Sequence, residues 1–100
     1  MNKQKQHKAI DFQDYLVNQL KNKGIRRHYD EYGKQLEIAY QILELRKKEH
    51  LSQKELAEKI GTTQSNVARM EAGQQNFTTD TLQKIASALK RDLKVEFINK

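Results

Sequence analysis

The stretch "LSQKELAEKIGTTQSNVARMEAG" restricts the fold more than any other part of the chain. Ser52 is a good helix N-cap, and Glu55 three residues on completes a Ser-x-x-Glu capping box. Leu56, Ala57 and Ile60 then supply the inner face of a short helix. Gly61 can take the left-handed conformation that stops it. Thr63 caps a second short helix, whose buried side is filled by Val67 and Met70 and which closes at Gly73. Two short helices joined so tightly must lie across each other, and Ala57 sits where a larger side chain would hold them apart.

The second helix presents Gln64, Ser65, Asn66, Ala68 and Arg69 outward, a small, polar and nearly uncharged face. Two helices joined in this way form a helix-turn-helix unit, whose second helix enters the major groove of DNA with its N-terminal residues at the base edges. Lys and Arg read mainly guanine there, whereas Gln, Ser, Asn and Ala suit adenine edges, thymine methyls and close approach. Phosphates can be held instead by amides at helix N-termini, aided by the helix dipole. The neutral face is thus explained if it reads bases while the backbone holds the strand. As an isolated helix it would be an ordinary solvated surface.

Charge alone points elsewhere. The formal net charge is +6, which suggests a polyanionic partner, but residues 1–27 hold seven Lys and Arg against two Asp. Most of the excess therefore sits far from the neutral helix. Hydrophobic residues make up 36% of the chain and charged ones 32%, so part of it is expected to order only against a partner. There is no cysteine and no apolar run near the roughly 20 residues that span a bilayer. A cytoplasmic protein without membrane attachment is expected. His7, His28 and His50 lack ligand spacing, and no nucleophile lies beside a base in sequence. Neither metal, cofactor nor catalysis is expected.

Periodicity organises the flanks. Phe12, Tyr15, Leu16 and Leu20 form one stripe of an N-terminal helix ended by Gly24, behind a basic lead. A connector, "IRRHYDEYGK", offers Tyr29 and Tyr32 to fold back onto a neighbour. A further helix through "KQLEIAYQILELRKKEH" turns Leu36, Ala39, Tyr40, Leu43 and Ile42 inward. After the two short helices, Leu82, Ile85, Ala86 and Leu89 are spaced for another helix, and Leu93, Val95 and Phe97 alternate as in a half-buried strand. The predicted fold is all-α, with four to five helices, an N-terminal helical extension and a short C-terminal β-strand. Its parts are residues 1–33 (lead and first helix), 34–91 (DNA-binding domain) and 92–100 (strand and tail).

"LSQKELAEKIGTTQSNVARMEAGQQNFTTDTLQKIASALK" resembles the XRE family of phage-repressor-like regulators: Ser-Gln at the first helix, "ELA", Ile-Gly, "TTQS", the "E-x-G" after the second helix and "TLQKIASAL". The resemblance implies that Gln53 holds a phosphate and braces the second helix, that Gln64 reads a base, and that Ser65 and Arg69 reach neighbouring ones. Thr63 and Asn66 complete the DNA-contacting set. It also implies that Arg46 pairs with Glu71. Operator DNA would be bound by a dimer, two copies about one helical turn apart.

The N-terminal helix, tyrosine-bearing connector and "LEIAYQILELRKKEHLSQKELA" together resemble HigA-type antitoxins. That likeness implies a type II toxin–antitoxin pair, in which the protein represses its own operon and neutralises a RelE/HigB-like ribonuclease toxin, as a homodimer or a heterotetramer with toxin. Phe12, Tyr15, Leu16 and Leu20 would then be the toxin grip, their alternative role being plain core. Two other readings stand beside it: an XRE-type regulator without a toxin, and an interaction module that has lost DNA binding.

Overall fold

The computed structural model describes residues 11–23 and 29–99, the side chains of 29–32 excepted. Among the described residues five helices are laid out in order: α1 (Phe12–Gln19), α2 (Tyr29–Lys48), α3 (Gln53–Ile60), α4 (Gln64–Glu71) and α5 (Thr79–Ala88). No helix among the described residues is long and apolar enough to cross a membrane. No group of His, Asp or Glu among them is placed to hold a metal ion.

The helix ends follow the capping chemistry of the sequence. Glu55 N–H donates to Ser52 Oγ at 2.9 Å, and Ser52 N–H donates to Glu55 Oε1 at 2.7 Å, closing the capping box of α3. The Ser52 amide, and after it the Ser52 hydroxyl, favour the ionised Glu55 carboxyl and hold it below the usual carboxylate range. Gly61, at φ +76°, ends α3 and reverses the chain. Thr63 and Thr78 cap α4 and α5 by accepting from the amides of Asn66 and Thr81, each at 3.1 Å.

α2 is the spine, with two buried sides. One side packs Leu36 and Ala39 against Tyr15 and Leu16 of α1, with Phe12, Leu20, Tyr40 and Leu43 around them. Phe12 meets Tyr40 edge-on at 5.0 Å between ring centroids, and Tyr15 lies 5.6 Å from the same ring. The other side brings Ile42 into a second core with Leu56, Ala57, Val67, Met70, Ile85 and Leu89. Ile38, Leu45, Leu51, Ile60, Phe77 and Ala88 border this core. Ala57 is buried at the crossing of α3 and α4, where the sequence required a small residue.

Three expectations need correction. α1 stops at Gln19, short of Gly24, because the residues beyond Leu20 are exposed lysines and an asparagine with nothing to bury. From Tyr29 on, the expected connector instead supplies the first turns of α2, which runs unbroken to Lys48. Gly33 there has open space around it, and one helical glycine costs only about 1 kcal/mol. The tyrosine side chains expected to fold back, Tyr29 and Tyr32, lie outside the described residues, as does Gly24. Third, the C-terminal β-strand is not formed: no strand occurs among the described residues, and Asp92–Asn99 carry no regular structure. A strand needs a neighbour for its backbone groups, and the described residues offer none.

Candidate nucleic-acid interface

α4 buries Val67, Met70 and Glu71 and leaves Gln64, Ser65 and Arg69 exposed. Its acid is turned inward, so Arg69 is the sole charge on its solvent side. At its head the amides of Gln64 and Ser65 have no carbonyl a turn back to bond, as in every helix, and remain available outside. The Thr63 hydroxyl is engaged as the cap and lies 3.3 Å from Ser65 Oγ.

Asn66 does not face outward with them. It is half-buried, and its Nδ2 donates to Thr62 Oγ1 at 2.9 Å while its Oδ1 accepts from Gln75 Nε2. The amide thus ties the turn before α4 to the loop after it. Sequence position alone gave no sign of this inward role, since the partner Gln75 lies in an irregular loop.

The far end of α4 is held by a buried polar knot centred on Glu71. Arg46 Nε donates to Oε2 at 2.6 Å and Arg46 Nη2 to Oε1 at 2.9 Å, a bidentate pair between side chains that are nine-tenths or more buried. Arg46 Nη1 also donates to the carbonyl of Leu51 at 2.8 Å. Gln53 Nε2, from the first residue of α3, donates to Glu71 Oε1 at 3.1 Å. The Tyr15 hydroxyl of α1 donates to the Glu71 main-chain carbonyl at 2.7 Å, across 56 residues. Burial, and secondarily the nearby Glu71 charge, push the Tyr15 phenol well above its ordinary value. No buried side-chain polar atom among the described residues lacks a partner. One residue of α4 is therefore bonded to α1, α2 and α3 together. The sequence suggested the Arg46 pairing and the brace from Gln53; the Tyr15 contribution it did not.

The loop after α4 is equally fixed. Gly73, at φ +75°, lets Gln74 N–H donate back to Arg69 carbonyl oxygen at 3.1 Å, and its backbone lies directly on Leu36. The short helix is locked at both ends, with three polar side chains outward.

Residues 42–95, more than half the chain, match the family described as helix-turn-helix. The chain belongs to the helix-turn-helix family. It is a DNA-binding regulator of the XRE type, and α4 occupies the recognition-helix position of that motif. The family is one of regulators that are normally non-enzymatic. Among solved structures, this helix-turn-helix protein is similar to the restriction-modification controller protein C.AhdI from Aeromonas hydrophila. The two share 33% identity with a TM-score of 0.60, over 63% of this chain and 91% of that one. No curated protein matches it in sequence. The family match begins within α2 and leaves α1 outside.

The four residues expected to grip a toxin point into the molecule. Tyr15 and Leu16 are buried, and Phe12 and Leu20 are half-buried against α2. The exposed apolar residue of α1 is Val17.

Proposed function

We propose that the protein is an operator-binding transcriptional regulator that inserts α4 into the major groove as one half of a dimer. Gln64, first residue of α4, reads a base, with adenine the match for its amide. Ser65 and Arg69 reach the neighbouring positions. The outer amides of α3 and α4 hold phosphates. Gln53 uses one N–H of its amide on Glu71 and keeps the second for a phosphate oxygen. Thr63 contributes through the cap that fixes the helix head, and Asn66 through the turn it ties down.

The observation that carries this reading is the pairing of a neutral, exposed face with so rigid a support. Discrimination between bases needs side chains held within fractions of an ångström, and the Glu71 knot, Asn66 and Gly73 hold α4 in that way. Selection of bound sequences from a random DNA library tests it. A pseudo-palindrome with half-sites about 34 Å apart is expected. Recovery of DNA with no common sequence would overturn it.

A second reading, favoured by the position of α1 outside the family match, makes the same protein the antitoxin of a RelE/HigB-like ribonuclease toxin. With the apolar stripe turned onto α2, the toxin would take the outer surface of α1 around Val17. Co-purification with the product of an adjacent toxin-like reading frame distinguishes this from a regulator acting alone.

A further inference from the structure

The tail leaves the helical body at a fixed point and is exposed from Lys94 to Asn99. Lys90, at φ +60°, reverses the chain after α5, and Arg91 N–H donates to the Ala86 carbonyl at 2.9 Å. Arg91 Nη1 is anchored to Glu49 Oε2 at 3.0 Å. Beyond this anchor Leu93 is half-buried, but Val95, Phe97 and Ile98 are 64, 104 and 79% exposed. No backbone group of residues 92–99 hydrogen-bonds another described residue. Lys94 Nζ lies 3.5 Å from Glu96 Oε1, so these two side chains share one side of an extended segment. Leu93, Val95 and Phe97 belong to the other.

We infer that this segment is a dimerisation strand that pairs antiparallel with the same segment of a second copy, on a twofold axis through Val95. Its self-complementarity carries the assignment. About that axis Lys94 stands opposite Glu96 of the second copy, and Glu96 opposite its Lys94. On the other face Leu93 stands opposite Phe97, and Val95 opposite itself. Shifting the axis one residue either way sets Lys94 or Glu96 against its own copy. A parallel, in-register pair would oppose like charges at both positions. Like charges directly opposite are destabilising and unlike ones stabilising, so the sequence selects the Val95 register.

Pairing satisfies the open backbone groups and turns the tail into a strand. A two-stranded ribbon alone is marginal, so its apolar face must rest on the helical bodies. Leu93 already turns that face inward, and the Arg91–Glu49 contact fixes where the ribbon begins.

The test uses the full-length protein without DNA, so its outcome is independent of the operator reading. Sedimentation equilibrium is expected to give a dimer. Lys94→Glu and Glu96→Lys should each weaken it by about tenfold or more, since each sets like charges opposite at both symmetric positions. Mixed together, the two variants should form a tight heterodimer, because one strand is then acidic and the other basic. Repulsion within a single tail cannot give that recovery. Truncation after Asp92 should yield monomer with the helical circular dichroism retained. A monomeric parent chain would overturn the proposal and assign the tail to a different protein. So would variants that dimerise as the parent does, or a mixture with no preference for the heterodimer.

Discussion

Arg46 and Glu71, 25 residues apart in sequence, face each other as fork and carboxylate inside the core, with Nε–Oε2 2.6 Å and Nη2–Oε1 2.9 Å. The pair joins the spine helix α2 to the end of the recognition helix α4. Its net contribution to stability is small, because desolvation of both charges offsets most of their attraction. Its contribution to geometry is larger: a planar guanidinium accepts a carboxylate in few orientations, and so fixes how α4 is rotated.

Removing one partner is therefore far worse than removing both. Arg46→Met or Glu71→Leu should each cost about 3–5 kcal/mol in urea unfolding, and the double variant less than the sum. Additive losses below a kilocalorie would show that the pair does not couple.

Tyr15→Phe removes the bond to the Glu71 carbonyl and should cost about 1 kcal/mol. It should also alter the alkaline limb of stability. The folded protein holds the phenol proton above the ordinary value of 10.0. The unfolded chain releases it near that value, so this contribution is full below pH 10.0 and declines as pH rises above it. Unfolding midpoints between neutral pH and pH 11 should fall less steeply for the Phe variant. Tyr40, raised by burial and by its bond to Glu44, contributes a slope of the same sign in both proteins.

Gln64→Ala should leave stability unchanged and cost about 1–3 kcal/mol on the selected site, with little loss on random DNA. Gln53→Ala should behave differently. It weakens all DNA together, since a phosphate contact carries no sequence, and it destabilises the fold by removing a bond to a buried carboxylate. Gel shifts on both kinds of DNA, beside thermal unfolding, separate the two.

Gly73→Ala should cost about 1–3 kcal/mol. The added Cβ would lie 2.5 Å from Leu36 Cδ2 and 3.3 Å from its Cγ, and Leu36 is fully buried with nowhere to move. Gly61→Ala meets nothing within 4 Å. It should show only the left-handed backbone penalty, about 1–2 kcal/mol. Comparing the two melting curves isolates the packing part.

What could be read from sequence was what depends on neighbours in sequence. Ser52 and Glu55 are three apart, Gly61 acts on its own backbone, and the faces of α3 and α5 follow from helical spacing. The Arg46–Glu71 pair came through likeness to a family whose spacing is fixed. Tyr15 looked like an interface anchor because its apolar ring is visible in a helical pattern, whereas its hydroxyl partner is a backbone carbonyl, which no side-chain pattern marks. Asn66 looked like a base reader because its position on α4 is outward by period. Two hydrogen bonds, to Thr62 and Gln75, turn it aside. The tail had the alternation of a strand, but alternation describes two faces and says nothing of a neighbour.

The Tyr15–Glu71 bond has a consequence for synthesis. α3, α4 and α5 adjoin in sequence as well as in space, so contacts among them can form quickly once made. The Tyr15 hydroxyl must wait for a carbonyl 56 residues downstream. At about 5–20 residues per second, that is an interval of about 3–11 s on the ribosome. Through it α1 has only α2 to shelter its stripe, and its phenol stays in water. Of the helices described, α1 is made before the other four, yet its lock waits until α4 is complete.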